Sequence, residues 1–430
     1  MFSIRIFYLL WCLVHFVYGV LCLFRPKWFL VVPSIVVILF SMAPISASAT
    51  ERFGSSSEFK VNIMDTSFGA MIGRLNQDAA MFQNVLSGLK GEMADLREDL
   101  SGEVYAAAQP ILLDDSRLVA STIFDRLYKA AIIGKVGKGK RAIGGASVWG
   151  SQLLTWGMPA ESLARGTEAR VLEIASKLWL FGADTPISNS FSIGGFIGFS
   201  RGKYEFPENS HTVARHGTGH VGLYAAKLLG NNFGFRVNWT VSGHDVNTSR
   251  TVDFESSIEK LVANYDAFST RIVGEFSNTG ILKLDRAFGP YLQVSGSIFS
   301  GSPFIEDGGI TALEVSKSSF SSLVSTFGVR GVDSFSKCPT VSRLYYMLGF
   351  RKEMLVNKHT PSVSGKLVNV DNSSYSVSVV ASPASSVVLR LGLDFDNLWD
   401  KNLIVSFGIQ GLLSNLSKQG SVNLDMKWAF

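Results

Sequence analysis

Two glycine-rich patterns in this sequence contain residue types that could do chemistry. Gly198-Phe-Ser-Arg-Gly202 fits G-x-S-x-G, in which Ser200 would be a nucleophile on a sharp turn between a strand and a helix. Gly217-Thr-Gly-His-Val-Gly222 fits G-x-G-x-x-G, which holds a dinucleotide phosphate at the start of a helix. A loop follows Gly202, and the residues after Gly222 alternate as a strand does. The sequence therefore predicts neither a serine nucleophile nor a dinucleotide site.

Histidine and cysteine could bind a metal ion, but their spacing does not favour it. His211, His216 and His220 lie close together, and a His-rich tract can bind metal. The glycines around them favour a surface loop instead. No Cys/His cluster has metal-ligand spacing. Only Cys338 lies beyond residue 49, so no disulfide within the mature chain is expected. We predict no metal, no cofactor and no catalytic residue.

The composition excludes several classes of protein. The 430 residues suffice for one large domain or two ordinary ones. Charged residues make up 17%, against roughly a quarter in typical soluble domains, while glycine (41) and phenylalanine (31) are abundant. Beyond residue 49 there is no uninterrupted apolar run of about 18 residues, which excludes a polytopic helical membrane protein. Low net charge and high apolar content exclude a disordered chain.

The net charge gives no indication of a nucleic-acid partner. It is +5, from 40 basic and 35 acidic residues. Arg5, Arg25 and Lys27 belong to the first 49 residues, so the rest of the chain carries 40 − 3 = 37 basic against 35 acidic residues. A balance of +2 lacks the basic patch of a nucleic-acid-binding domain.

Residues 1–49 predict an export signal. Arg5 precedes a long apolar stretch, as in the basic and apolar regions of a signal peptide. The segment closes on Ala47-Ser-Ala49, the small-x-small pattern of a signal-peptidase site. Cleavage is therefore expected before Thr50.

A second apolar stretch, 28–40, leaves the form of the signal open. One alternative is a pair of transmembrane helices, but 28–40 is short for a membrane span. The doubled layout is typical of an extended signal peptide, or of a true start near Trp28.

A helical period appears before residue 146. Pro110 should interrupt it, and Asp114-Asp-Ser116 offers N-caps for a second helix. The basic, glycine-rich run 135–141 is expected to be a linker. The apolar residues that recur at steps of three and four in the first helix are Leu89, Met93, Leu96, Leu100, Val104, Ala107 and Ile111.

Beyond residue 146 the period changes to two. In the last residues Val422, Leu424, Met426, Trp428 and Phe430 share one face, and the residues between them share the other. The alternation predicts twelve strands at about 146–156, 168–181, 190–202, 214–228, 233–242, 262–276, 288–300, 316–330, 341–354, 385–395, 402–411 and 420–430.

These strands favour a transmembrane β-barrel. A water-soluble sandwich also alternates. Export, large aromatic residues on the apolar face and strands about ten residues long are together typical of an outer-membrane barrel. Closing the barrel pairs every backbone N–H and C=O, as a bilayer requires. We predict an all-β fold: a twelve-stranded antiparallel barrel, preceded by a helical segment that plugs the lumen or forms a periplasmic stalk.

The connections between strands alternate in length. Those at Leu229–Asn232 and Asn397–Lys401 are short, and those at Gly243–Leu261 and Asn357–Ala384 are long. Short periplasmic turns and long external loops characterise outer-membrane barrels. Both ends of the barrel are then expected on the periplasmic side.

The sequence from about Leu100 to Phe430 resembles the autotransporter (type V secretion) translocator. Several motifs carry this resemblance jointly through their order and spacing. They are Leu100-Ser-Gly-Glu-Val104 and Leu113-Asp-Asp-Ser-Arg117 before the barrel, Trp149-Gly150, Trp156-Gly157 and Phe181-Gly-Ala-Asp184 in the first two strands, His244-Asp-Val-Asn-Thr-Ser-Arg-Thr-Val252 in a strand-five loop, Tyr265-Asp266 at the start of strand six, and the closing Lys427-Trp-Ala-Phe430.

The resemblance implies a domain plan. Residues 1–49 would be the signal, 50–99 a short passenger remnant or linker, 100–145 the helical pre-barrel segment, and 146–430 the barrel. The passenger departs from the family pattern, because 50–99 has no repeats.

The resemblance also implies a function, a location and partners. The barrel would lie in the outer membrane of a Gram-negative bacterium as a monomer and carry or anchor an N-terminal segment at the cell surface. Its partners would be the lipid bilayer, the general export machinery and the barrel assembly machinery. The assembly machinery would recognise Met426, Trp428 and Phe430 in the last strand.

Two other functions remain open at this stage. One is a passenger-less outer-membrane pore or structural barrel, although the helical segment before the first strand favours a translocator. The other is an outer-membrane hydrolase with Ser and His on the barrel wall, for which no spacing selects a pair. Self-cleavage at an Asn pair is not expected, because Asn231-Asn232 falls in a predicted periplasmic turn. If the helix lies in the lumen, its acidic face is expected to meet Arg236, Arg271 or Arg390.

Overall fold

The computed structural model describes residues 102–133 and most of 146–429. Residues 1–101, 134–145 and 430 lie outside the described part of the chain, and so do the signal residues Ala47, Ala49 and Thr50. The gaps within 146–429 are 159–160, 163–169, 172, 189, 206–211, 230–232, 255–256, 279–280, 284–285, 310, 335–342, 355–361, 369–374, 379–384, 397–401 and 415–417.

Twelve antiparallel strands close into a barrel, as the sequence predicts. Each pairs with its neighbours along the chain, and the last strand pairs with the first, from Ser147↔Ala429 to Met158↔Lys418. The strands are β1 (Ser147–Met158), β2 (Glu173–Ser188), β3 (Phe191–Glu205), β4 (Val213–Leu229), β5 (Phe233–Phe254), β6 (Ser257–Asn278), β7 (Arg286–Gly301), β8 (Ser318–Ser334), β9 (Arg343–Met354), β10 (Ser385–Asp396), β11 (Leu403–Leu413) and β12 (Lys418–Ala429).

The predicted orientation of the two strand faces is confirmed. On β5 the outward Trp239 is 48% exposed, whereas the inward Arg236 is 2% exposed. On β12 the apolar Leu424, Met426 and Trp428 are exposed on the outer surface. Apolar side chains outside and polar side chains inside are the reverse of a water-soluble domain and match a lipid-facing wall.

The prediction of a long loop at Gly243–Leu261 is wrong. Strands β5 and β6 instead continue as a paired hairpin from Phe233↔Asn278 to Phe254↔Ser257. Tyr265, expected to open the sixth strand, therefore lies well inside β6. The outward residues of this extension are polar, so its sequence does not alternate between apolar and polar residues. The strands continue nevertheless, because backbone pairing does not require an apolar face. Outward polar residues at this height are Asp245, Asn247, Ser249 and Thr251.

The prediction of two helices separated at Pro110 is wrong, because the structure has one continuous helix there. Helix α1 (Glu103–Ile133) is 31 residues long and contains Pro110 in its interior. Pro110 cannot donate to the carbonyl four residues earlier. The helix continues because Ala108 and Leu112 on either side are completely buried, and this packing offsets the lost hydrogen bond. Asp114-Asp-Ser116 is therefore inside the helix rather than at an N-cap. No helix among the described residues combines the length and the apolar character that a membrane-spanning helix needs.

A small four-stranded sheet lies at the end of the barrel opposite Ser147 and Ala429, the predicted external end. Two connections supply it, the one between β7 and β8 and the one between β9 and β10. The long connection predicted at Asn357–Ala384 thus contains strands of its own. We call this group the external sheet; its strands are Phe304–Ile305, Leu313–Val315, Ser362–Leu367 and Tyr375–Ser378. Three further short strands are Glu161–Ser162, Arg170–Val171 and Ile281–Lys283.

Candidate functional site: the helix inside the barrel lumen

Helix α1 lies inside the barrel and runs from one end to the other. Tyr105 near its start contacts Thr248 at the external end, and Arg126 near its end contacts Asp184 and Ser147 at the opposite end. At 1.5 Å per residue, 31 residues span about 46 Å, more than the roughly 25 Å apolar band of such a barrel. The helix therefore occupies the lumen over its full height, as a plug and not as a periplasmic stalk.

The external end of α1 is held by one buried carboxylate. The Tyr105 hydroxyl donates a 2.5 Å hydrogen bond to Glu306 Oε1. Arg250 on β5 donates to both Glu306 oxygens, at 2.6 Å each, and the Leu313 backbone N–H donates to Oε2 at 2.8 Å. Arg250 and Glu306 are both almost fully buried. The helix, the barrel wall and the external sheet thus share a single ion-pair network.

Aromatic packing joins the same three parts. The Phe304 ring lies 4.8 Å from Tyr105 and 4.4 Å from Tyr265, measured between centroids. One turn further, Gln109 Nε2 donates to the Ser362 carbonyl at 3.0 Å. The external sheet therefore covers the start of the helix and closes this end of the lumen around it.

Asp115 anchors the middle of the helix. It accepts a 2.7 Å hydrogen bond from Ser200 on β3, and its Oδ2 lies 2.8 Å from His216 Nε2 on β4. Ser200, Asp115 and His216 are each at most 5% exposed. His220 Nε2 is 3.3 Å from Ser200 Oγ. The structure thus assembles a serine, two histidines and an aspartate between the wall and the helix.

These residues do not form the two sites that their sequence patterns suggest. Ser200 lies inside β3 rather than on a strand-to-helix turn, and Gly217–Gly222 lies inside β4 with no helix after it. The surface loop expected for the histidines is wrong, because His216 and His220 are buried inward positions of β4; His211 lies outside the described residues. Within the described part of the chain, no group of three or more His, Cys, Asp or Glu is arranged to hold a metal ion.

Of the three arginines expected to meet an acidic helix face, one does so. Arg390 pairs with Asp125 on the helix. Arg271 contacts the helix through the Ser116 hydroxyl and the Leu113 carbonyl, both at 2.9 Å. Arg236 pairs instead with a wall carboxylate, Glu275, at 2.8 Å. The helix is therefore held by hydroxyl and carbonyl groups as well as by charge.

The opposite end of α1 is held by further ion pairs. Arg126 pairs with Asp184 on β2, and its guanidinium lies 4.9 Å from the Trp149 ring. Lys129 pairs with Asp394 on β10 at 3.1 Å. Trp149 and Asp184 belong to the motifs that carry the family resemblance, so those motifs encode contacts to the helix.

One side of the helix is apolar and packs on apolar wall residues. The lumen is therefore not polar throughout, because inward positions of β1 to β4 are partly apolar where the helix covers them. The buried cluster comprises Leu118, Val119, Ile123 and Leu127 of the helix and Trp149, Leu153, Leu178, Leu180, Phe196 and Tyr224 of the wall.

Sequence reasoning missed several residues that hold the helix. Asp115 is an acid next to an apolar helix face, but its position after Pro110 favours the incorrect prediction of a helix cap. Asp184 and Glu275 occupy inward positions of their strands, where a charge has to find a partner in the lumen. The sequence does not identify Glu306, because the connection that contains it has no sustained alternation of apolar and polar residues.

A closed barrel with an apolar outer wall and a helix through its lumen defines the class of transmembrane β-barrels with a helical plug. The family model described as "Autotransporter beta-domain" matches residues 161–410, more than half of the chain. The protein belongs to the autotransporter family. It is an outer-membrane translocator barrel of a Gram-negative bacterium.

Two curated relatives are extracellular serine proteases of Serratia marcescens. One is 22% identical over 398 residues, covering 90% of this chain and 36% of the relative. The other is 24% identical over 355 residues, covering 79% of this chain and 31% of the relative. The chain thus spans about a third of the length of these relatives.

A solved structure has a similar fold. The translocator domain of the autotransporter NalP from Neisseria meningitidis matches with a TM-score of 0.53 and 13% sequence identity. The match covers 74% of this chain and 98% of that domain. The similarity at this identity concerns the fold alone.

Proposed function

We propose that the barrel delivers the chain segment before Glu103 to the cell surface and then anchors it there. The single observation that carries this proposal is the direction of α1: Tyr105 contacts the external sheet, and Arg126 contacts the opposite end. Helix α1 therefore begins at the external mouth of the barrel. We take residues 50–99 as the passenger remnant or linker and 100–145 as the pre-barrel segment.

The barrel itself performs no catalysis in this proposal. The Ser200 hydroxyl donates its hydrogen bond to Asp115. In the contact between His220 and Ser200, His220 is then the donor and not a base that removes the Ser200 proton. The site lies under the helix, with Ser200 only 1% exposed. A passenger can still be an enzyme, as the names of the Serratia relatives indicate for those proteins.

Export and assembly follow the family pattern in this proposal. The general export machinery would bring the chain across the inner membrane, with cleavage after Ala49. The barrel assembly machinery would recognise Met426, Trp428 and Phe430, and the product would be a monomer. Two of these three side chains, Met426 and Trp428, are exposed on the outer surface of β12, where a second protein can reach them.

Surface labelling of intact cells tests the delivery step. An epitope tag inserted after Ser56 should bind antibody and disappear when protease is added to whole cells. The matched control carries the same tag between Asn231 and Asn232. These residues connect Leu229 and Phe233, the ends of β4 and β5 at the opposite end of the barrel. This tag should be accessible only after the outer membrane is broken. A Ser56 tag that stays inaccessible in intact cells, in a barrel that is folded, contradicts the proposal.

A further inference from the structure

A cluster of four cations lies on the outer surface of the barrel wall. Lys177 on β2 pairs in register with Arg201 on β3, and Lys203 on β3 pairs with Arg215 on β4. Partners in register lie about 5 Å apart at Cα, and positions two apart on one strand about 7 Å. The four side chains point outward, because the alternate positions, among them Ser200, face the lumen. We call this group the basic cluster.

The basic cluster lies where the apolar belt ends. One step further toward the opposite end of the barrel, the outward Trp179 and Phe199 stack with their ring centroids 4.9 Å apart. Below them the outward residues of β3 are apolar, including Ile197, which is 64% exposed. Aromatic residues mark the boundary between lipid chains and headgroups in such barrels. The cluster is therefore at the level of the headgroups of the outer leaflet.

Most of this positive charge forms no ion pair within the part of the chain that the structure describes. Lys203 pairs with Glu205 at 2.5 Å. Among the described residues, Lys177, Arg201 and Arg215 form no ion pair. On the next strand, β5, the residue in register with Gly217 is the acid Asp245. The row of cations therefore ends at β4. Three adjacent strands thus present charge that a ligand can neutralise.

A bare surface adjoins the cluster. Gly217 is the register partner of Arg201, Gly219 the partner of Phe199, and Gly243 follows on β5. A methyl group built on any of these three glycines would meet no heavy atom within 4 Å. Three outward glycines on neighbouring strands make a shallow depression beside the arginines and the aromatic pair, where no side chain covers the backbone.

We infer that the basic cluster and its glycine depression bind the phosphate groups of an outer-leaflet lipid. Arginine pairs bidentately with phosphate, and lysine adds a point charge. The lipid chains would lie along the apolar belt below, against Phe199. A lipid satisfies all three features at once: the phosphate the cations, the headgroup the depression, and the chains the belt. The site depends on the outer-membrane location and not on delivery of the N-terminal segment, so the two proposals fail separately.

Native mass spectrometry of the folded full chain in detergent tests the site. The probe is diphosphorylated lipid A, compared with the same lipid after its phosphates are removed. Wild type should retain the phosphorylated lipid, and the double variant R201Q/R215Q should bind it at least about tenfold more weakly through loss of its charge-assisted hydrogen bonds. Gly217→Leu, which keeps every charge but fills the depression, should also weaken binding.

Four results would overturn the inference. One is equal binding of the phosphorylated and dephosphorylated lipids. Another is displacement of the lipid by excess inorganic phosphate, which would indicate a site for free anions. The third is an equal loss in Lys227→Gln, since Lys227 is an outward cation at the opposite end of β4 and controls for a general attraction to headgroups. The fourth is wild-type affinity for the phosphorylated lipid in R201Q/R215Q or in Gly217→Leu. Each variant is first verified as folded by its heat-modifiable gel mobility.

Discussion

The hydroxyl of Tyr105 donates a 2.5 Å hydrogen bond to Glu306, a residue 201 positions further along the chain. The contact joins the first turn of the luminal helix to the external sheet. Because Glu306 also pairs with Arg250 on the wall, helix, sheet and barrel meet on this side chain at this end of the lumen. Stability of the closed external end should therefore depend strongly on Glu306.

Replacing Glu306 should destabilise the protein far more than replacing its helix partner. Glu306→Gln separates a buried ion pair and should lower the free energy of unfolding by about 3–5 kcal/mol. Tyr105→Phe removes one hydrogen bond to a charged acceptor and should cost about 1.5–3 kcal/mol. Urea titration of the barrel in lipid vesicles measures both.

An exposed ion pair on the same sheet provides the control. Lys366 and Glu314 lie 3.1 Å apart and are about half exposed, so Lys366→Gln should cost at most about 1 kcal/mol. Equal costs for Lys366→Gln and Glu306→Gln would show that the buried network does not hold the external end.

Removing the helix should open the pore. A twelve-stranded barrel is too wide for its wall side chains to fill, since about eight strands is the limit. Deleting 103–133 should therefore raise the single-channel conductance in planar bilayers. Deleting 50–99 is the matched control and should leave conductance unchanged, because these residues precede the helix. If the helix deletion conducts no better than the full chain while its barrel is folded, the helix is not what closes the lumen.

The barrel could be predicted from the sequence because a lipid-facing wall imposes a strict period of two. The alternation predicts all twelve strands, and in the last strand it places Trp428 on the apolar face, which the structure turns outward. The period fails where the wall leaves the membrane. Along the extension of β5 the outward residues become polar, from Asp245 onward, and pairing continues without an apolar signal.

The contacts of the helix could be predicted only in part. The period before residue 133 identified a helix, and Pro110 then gave a wrong boundary, because local propensity was outweighed by burial inside the barrel. Arg390 and Asp125 were a foreseeable match of opposite charges. Asp115 with Ser200 and Glu306 with Tyr105 join residues far apart in the chain, and no local pattern specifies such pairs.

A glycine in one of the motifs that carry the family resemblance should be sensitive to substitution. A Cβ at Gly182 would lie 2.4 Å from the Trp149 ring and 2.6 Å from the Gly195 carbonyl oxygen. Trp149 is fixed by a 2.8 Å hydrogen bond to the Tyr224 hydroxyl and cannot move aside freely. Gly182→Ala should therefore cost about 1–3 kcal/mol through overpacking, measured by urea titration.

The matched control is another glycine of the wall. A Cβ at Gly274 would meet no heavy atom within 4 Å. Gly274→Ala should then leave stability unchanged or raise it by up to about 1 kcal/mol, since alanine reduces the entropy of the unfolded chain. A loss at Gly274 as large as the loss at Gly182 would mean that the close contact with Trp149 is not the cause.

The end of β12 should be needed both for closing the barrel and for recognition during assembly, and these two roles can be separated. The Trp428 backbone pairs with Val148 on β1 and Leu403 on β11, so deleting 428–430 leaves edge groups of both strands unpaired. That truncation should fail to accumulate as a folded barrel in the outer membrane.

The double variant Trp428→Ala/Phe430→Ala keeps every backbone pair and removes only the aromatic side chains. If the assembly machinery recognises those side chains, this variant should also accumulate poorly in cells, yet fold when diluted from urea into detergent, where no machinery is present. Leu424→Ala, on the same outward face of β12 but further from its end, is the control and should assemble normally. The measurement is the heat-modifiable fraction in outer membranes, compared with the folded fraction in detergent. Normal assembly of the double variant in cells would show that β12 contributes backbone pairing alone, whereas failure in both settings would assign the defect to folding rather than to recognition.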